Sequence, residues 1–143
     1  MPYEFLEEMA TADIAFRAWG QDLEETFVAA ADAVMNVMVE DLDAIQPREE
    51  RPLTADNDAL DLLLFDFLQE LVYYKDAEQL MLRVPQVRIE GGDGRYWLEA
   101  TARGERLDPA RHQTRADVKA ATLHRFNLQQ CERGWEASVI LDI

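Results

Sequence analysis

Two rhythms of apolar residues share this chain, and no single class of secondary structure accommodates both. Leu23, Phe27, Ala30, Ala31, Val34 and Met38 recur in steps of three and four, the spacing of a helix with one buried face. Asp22 stands one residue ahead as an N-cap, and Glu24 and Glu25 fill the first turn, where the helix dipole favours acids. This helix is expected to run to about residue 40. Leu60, Leu63, Leu64, Phe67, Leu68 and Leu71 repeat the pattern, with Asp56 or Asn57 as cap and an end near Tyr74.

Elsewhere the period falls to two. Ile14, Phe16 and Ala18 alternate with Ala15, Arg17 and Trp19 up to Gly20, as a strand requires. Leu80, Leu82, Val84, Val87 and Ile89 alternate again, with Pro85 marking a bulge or an edge. Gly91, Gly92, Asp93 and Gly94 supply a hairpin turn, residues 96–102 the return strand, and residues 118–129 and 135–142 two more strands around Glu132-Arg133-Gly134. Residues 41–56, with Pro47 and Pro52 among alternating charges, read as a loop with room for a short edge strand, and residues 104–117 as a polar connection. The expected fold is α+β, two helices packed on a largely antiparallel β-sheet. With 143 residues and no repeat or linker, one domain over 1–143 is expected.

Charge narrows the function. The chain carries 29 acidic and 14 basic residues, a formal net charge of -15. Nonspecific phosphate binding needs a basic field, so direct nucleic-acid binding is not expected to be the main activity. Residues 1–80 hold 20 acids and 4 bases, whereas 81–143 hold 9 acids and 10 bases. Two readings of the acidic half stand: solvated helix faces, or a surface that attracts a cationic partner. No apolar run approaches the length of a membrane helix, and residues 1–5 lack the basic and apolar parts of a signal peptide. A cytoplasmic protein without a membrane partner is expected.

The usual catalytic groups are poorly placed. Cys131 is the single cysteine and neighbours Glu132, which disfavours a thiolate. Ser138 lies within the last expected strand, and the glycines at 91, 92 and 94 join strands instead of opening a helix. His112 and His124 are too few for a zinc site without carboxylates and read as structural or hydrogen-bonding residues. Trp19, Trp97 and Trp135 fall in strand-like segments and read as core or sheet packing.

Four residues stand apart. Asp13 opens a strand behind the small apolar stretch Ala10-Thr11-Ala12, and Asp142 closes the apolar run Val139-Ile140-Leu141. Ile143 follows as the last residue, with its carboxylate. Oxygen ligands from Asp13, Asp142 and the Ile143 carboxylate would suit a hard divalent cation: Ca²⁺ first, with Mg²⁺ and Mn²⁺ as alternatives. The competing reading is that Asp13 caps a turn and Asp142 is simply exposed. Lys119, one of two lysines against twelve arginines, begins a strand. It could bind an anion, pair with Asp142, or be an ordinary surface lysine.

Taken together these residues resemble the archease family. The resemblance rests on Tyr3-Glu4-Phe5-Leu6, Thr11-Ala12-Asp13-Ile14, Arg17-Ala18-Trp19-Gly20, Leu23-Glu24-Glu25-Thr26-Phe27, Leu62 to Leu71, Gly104-Glu105, His112, Val118-Lys119-Ala120-Ala121-Thr122 with His124, and Asp142-Ile143. It implies an α+β fold and a metal site formed by Asp13, Asp142 and the Ile143 carboxylate. It also implies a role for Lys119, with Asp142, in activating an RtcB-type tRNA-splicing RNA ligase. Such a protein promotes the ligase's guanylylation and multiple turnover without itself joining RNA. One position departs from the family pattern: Ala10 stands where a histidine is common. The alternatives are a metal-dependent hydrolase using the same carboxylates, and an acidic chaperone or adaptor for basic or nucleic-acid-processing proteins.

Overall fold

The computed structural model describes residues 2–6 and 13–143. In chain order the elements are β1 (Tyr3–Phe5), β2 (Asp13–Gly20), α1 (Leu23–Met38), a short 3-10 turn (Leu42–Ala44), β3 (Glu49–Asn57), α2 (Leu60–Glu78), β4 (Leu80–Arg83), β5 (Val87–Gly92), β6 (Arg95–Arg106), β7 (Ala120–Cys131) and β8 (Gly134–Asp142). The fold is α+β with antiparallel strand pairs, as expected. The strands divide into two sheets instead of one: β1-β2-β8-β7, and β3-β6-β4 with β5 continuing beside β4 along β6.

Each helix touches both sheets. α1 meets β2 and β8 of the first and β4 and β5 of the second; α2 meets β7 of the first and β3, β4 and β6 of the second. That position explains the composition of α1. Ala29, Ala30, Ala31 and Ala33 are buried together with Phe27, Val34 and Met35, and small side chains let two sheets approach one helix. Asp22 caps it as expected, its carboxylate accepting from the Glu25 amide at 2.8 Å. Phe27 and Phe67 stack where α1 and α2 meet.

Several boundaries move. α2 extends four residues past Tyr74 and ends where Gln79 turns left-handed (φ 57°). Neither Asp56 nor Asn57 is its N-cap: Ala59 holds that position, and the Asn57 side chain accepts from the Ala59 amide at 3.2 Å. The expected loop at 41–56 contains a nine-residue strand, β3, paired with β6 from Glu49↔Gly104 to Asn57↔Tyr96. Pro52 is tolerated there because, among the described residues, β3 is an edge strand paired only with β6, and edge strands are where prolines within sheets occur. β6 runs on to Arg106, so the polar connection begins at 107. In the β5–β6 hairpin, positive φ falls on Asp93 and Gly94, while Gly91 and Gly92 pair with Tyr96 and Arg95.

β7 begins at Ala120, two residues later than expected. It advances five residues, Thr122 to Asn127, while β8 advances two, Ile140 to Ser138. The surplus forms a bulge on which Leu123 and His124 are exposed. Phe126 turns back beneath it to meet Phe65 of α2 edge-on at 5.8 Å. Trp97 is not a core residue: it is 49% exposed on the open face of the second sheet, between Asp56 and Glu90. No helix among the described residues is long and apolar enough to cross a membrane.

Candidate functional site at the β2–β8 end

Register brings two of the singled-out residues together. β2 and β8 pair over their full length, and the pairing starts with Asp13 directly opposite Asp142. Side chains at directly opposed positions share a face with their Cβ atoms about 4.5–5.5 Å apart. Two carboxylates so placed repel one another unless a cation lies nearby. Both are half-buried. On the other side of β8, Asp142 pairs with Ala120, a residue too small to cover the carboxylates.

Lys119 reaches the same place through the backbone. Its amide donates to the Asp142 carbonyl at 2.8 Å, and the residue itself is exposed. Ile143 follows Asp142, half-buried and packed against the core, which holds the last residue beside the pair. Asp13, Asp142, Lys119 and Ile143 therefore meet at one end of the first sheet. Ala10, and the Ala10-Thr11-Ala12 stretch before Asp13, lie outside the described residues.

The donor set is hard and small. Among the described residues no group of three or more His, Cys, Asp or Glu side chains is placed to hold a metal ion. A cation here would have two side-chain carboxylates and the carboxylate of Ile143. Oxygen donors of this kind fit Ca²⁺, Mg²⁺ or Mn²⁺ and not a thiolate-loving ion. Three carboxylates supply roughly three to six of the six to eight oxygens that Ca²⁺ takes, and one-oxygen binding by any of them leaves positions for water or for groups of a partner.

Lys75 and Gln69, which sequence reasoning passed over, tie α2 to this end. The Lys75 ammonium is buried (9% exposed) and donates to the Val118 carbonyl at 2.7 Å and to Asp117 Oδ1 at 2.8 Å, with Asp76 as its third acceptor. Burial alone would lower its pKa; the hydrogen bonds to Asp117 and Asp76 outweigh that and raise it. The Gln69 side chain accepts from the Ala121 amide at 2.9 Å, closing part of the free edge of β7. The one available signal was that Lys75 shares its rarity with Lys119.

A second polar cluster holds the long connection in place. Glu105 is 4% exposed and His112 0%. The Asp108 amide donates to His112 Nδ1 at 2.9 Å, so the ring is neutral and its Nε2–H donates to Glu105 at 2.8 Å. Glu105 also accepts from the Gln46 amide at 2.8 Å and is paired with Arg111 and, at 3.2 Å, with Arg48. Burial would raise its pKa, but Arg111, the Gln46 amide and His112 together bring it down to about 2. His112 is thus the hydrogen-bonding residue expected, sealed from any substrate, whereas His124 is exposed on the β7 bulge. Beyond the strand ends, the exposed side of α1 borders a groove of about 830 Å³ lined by Asp22, Glu24, Glu25 and Asp32 over Val28 and Ala29. Trp19 lines the same groove and is covered by the Arg133 guanidinium, 4.2 Å from the ring centre.

Comparison with known proteins identifies the family and the fold. Residues 3–143 match the model of the Archease protein family (MTH1598/TM1083). The chain is 38% identical over 134 residues to the protein archease of Pyrococcus abyssi, covering 93% of this chain and 94% of that one. It is 33% identical over 143 residues to that of Methanopyrus kandleri, covering all of both. Among solved structures, protein 1598 of Methanobacterium thermoautotrophicum superposes with a TM-score of 0.85 at 34% identity over 99% of each chain. An archease of Thermotoga maritima, described as a possible chaperone, shares the fold at a TM-score of 0.59 and 18% identity over 96% of each.

Proposed function

Because the chain belongs to the archease family, we propose that it is a non-enzymatic, divalent-cation-binding activator of an RtcB-type RNA ligase. It would promote the ligase's guanylylation and repeated turnover in tRNA splicing or RNA repair, in the cytoplasm. The observation that carries the proposal is the strand register: Asp13 opposite Asp142, with the Lys119 amide on the Asp142 carbonyl. A cation held there would supply a fixed positive charge in place of three like charges. The chain's own residues would do the rest. Asp13 and Asp142 bind from a rigid strand pair, Ile143 anchors the terminus by packing, and Lys119 presents an ammonium to the partner. The acidic half of the chain would favour encounter with a basic ligase.

The role of the Ile143 carboxylate has a direct test. Ca²⁺ at a hundredfold excess over its Kd is expected to stabilise the untagged protein by about 2.7 kcal/mol, a rise in Tm of roughly 5–10 °C. A short C-terminal extension that leaves the metal-free Tm unchanged is expected to remove most of that rise. An equal rise in the extended protein would contradict the terminal carboxylate as a ligand.

The acidic groove beside α1 favours a second reading, an adaptor for basic proteins. That reading expects binding of basic clients to survive Asp142→Ala, since the groove lies at the far end of β2.

A further inference from the structure

Lys75 reaches the Val118–Lys119 peptide from the side opposite Asp142. The carbonyl of that peptide accepts from the Lys75 ammonium at 2.7 Å, and its N–H donates to the Asp142 carbonyl at 2.8 Å. In a trans peptide the C=O and N–H point in opposite directions from one rigid plane. Two bonds on opposite edges therefore fix the rotation of the plane and the place of the Lys119 Cα. With β7 starting at Ala120 on the other side, they restrict the direction in which the Lys119 side chain leaves the backbone.

The surroundings of Lys75 point the same way. An ammonium taken out of water costs several kcal/mol unless its donors are all met. Lys75 has three donors and three acceptors: Asp76 on its own helix, and Asp117 and Val118 on the approach to β7. Asp76 and Asp117 are both largely exposed, with side chains 58% and 68% accessible. A surface pair between helix and loop would leave the lysine in solvent as well. Here it is drawn inward to a main-chain carbonyl, and the Gln69–Ala121 bond pins the residue two positions past Lys119. Lys119 thus stands on a short segment clamped before and after it, while remaining exposed itself.

We infer that Lys75 is a positioning residue: it orients Lys119 beside the Asp13–Asp142 pair by gripping the peptide that precedes it. The inference rests on the proposed role of Lys119 in ligase activation, and it adds a residue on α2 to that site.

The test is a double-mutant cycle on multiple-turnover RNA sealing by a cognate RtcB-type ligase, with Lys75→Met, Lys119→Ala and the pair. Lys75→Met is expected to lower the stimulation about tenfold, and to lower it no further when Lys119 is already alanine. Losses that multiply in the pair would show that Lys75 acts through general stability and would overturn the inference. Should Lys75→Met fail to fold, Asp117→Ala removes one exposed acceptor and leaves the ammonium two. It is expected to give a loss of about threefold that vanishes in the Lys119→Ala background, and a loss that persists there overturns the inference. Wild-type protein that gives no stimulation would refute the ligase reading instead. Amide exchange then decides the Lys75 question. Exchange at the Lys119 N–H at least tenfold faster in Lys75→Met (or in Asp117→Ala), with core amides unchanged, supports the clamp, and unchanged exchange overturns it.

Discussion

Gly104→Ala is expected to deny the protein its folded state at ordinary temperatures. Gly104 lies in β6 with Glu49 of β3 on one side and Leu82 of β4 on the other. A methyl group there would stand 1.8 Å from the Met81 carbonyl oxygen and 2.8 Å from its carbon. Both obstacles are backbone, so no rotamer change relieves them, and β4 would have to leave β6. Met81 and Leu82 are themselves buried, and moving them opens the core under both helices. A cost of at least about 5 kcal/mol is expected, as large as the whole stability of a marginally stable domain. Gly92→Ala is the control, because nothing lies within 4 Å of a methyl at that position. Circular dichroism melts should show Gly92→Ala within about 2 °C of wild type and Gly104→Ala without a native transition. Near-native melting of Gly104→Ala would mean that β4 and β6 are not in such close contact.

Glu105→Ala is the second large effect. Its carboxylate is the shared acceptor for the Gln46 amide and the His112 ring, and the partner of Arg48 and Arg111. The arginines lie at the surface and would regain water, but His112 is sealed in and its N–H would lose the acceptor it has in Glu105. The expected loss is on the order of 3 kcal/mol, a fall in Tm of about 6–12 °C. Acid should act through the same group. With its pKa lowered from 4.5 in the free side chain to about 2 in the fold, Glu105 stabilises the protein fully above the unfolded value. That contribution, also roughly 3 kcal/mol, declines as pH falls from about 4.5 towards 2. Urea midpoints measured from pH 6 to pH 2 should therefore drop more steeply for wild type than for Glu105→Gln, which cannot titrate. Parallel curves would assign the acid sensitivity to other carboxylates.

The legible parts of the fold were those written in local pattern. α1 announced itself through the Asp22 cap and a clean helical period, and β8 through an unbroken apolar run into Asp142. β3 did not, because Leu53 is its one fully buried residue and the others alternate among charges, Pro52 and small side chains. Its strand character comes from the neighbouring β6, a partner that local periodicity cannot see. Trp97 misled for the opposite reason: alternation placed it correctly on a strand, but among the described residues the face it occupies carries no covering layer. Asp13 and Asp142 were recognisable as chemically odd, and their oxygen-donor chemistry and then a resemblance joined them; only the pairing of β2 with β8 sets them opposite each other. Lys75 was silent because its meaning lies in a carbonyl and a carboxylate more than forty residues along the chain.

RNA sealing under multiple-turnover conditions, with a cognate RtcB-type ligase, GTP and Mn²⁺, tests the proposed function most directly. Ligase alone, ligase with this protein, and ligase with its Asp142→Ala variant would be compared. The expected result is a clear rise in turnovers with wild type, at least tenfold lost in the variant although it remains folded. A variant that stimulates as well as wild type, or a wild type that does not stimulate at all, would contradict a ligase activator working through the Asp13–Asp142 end of the sheet.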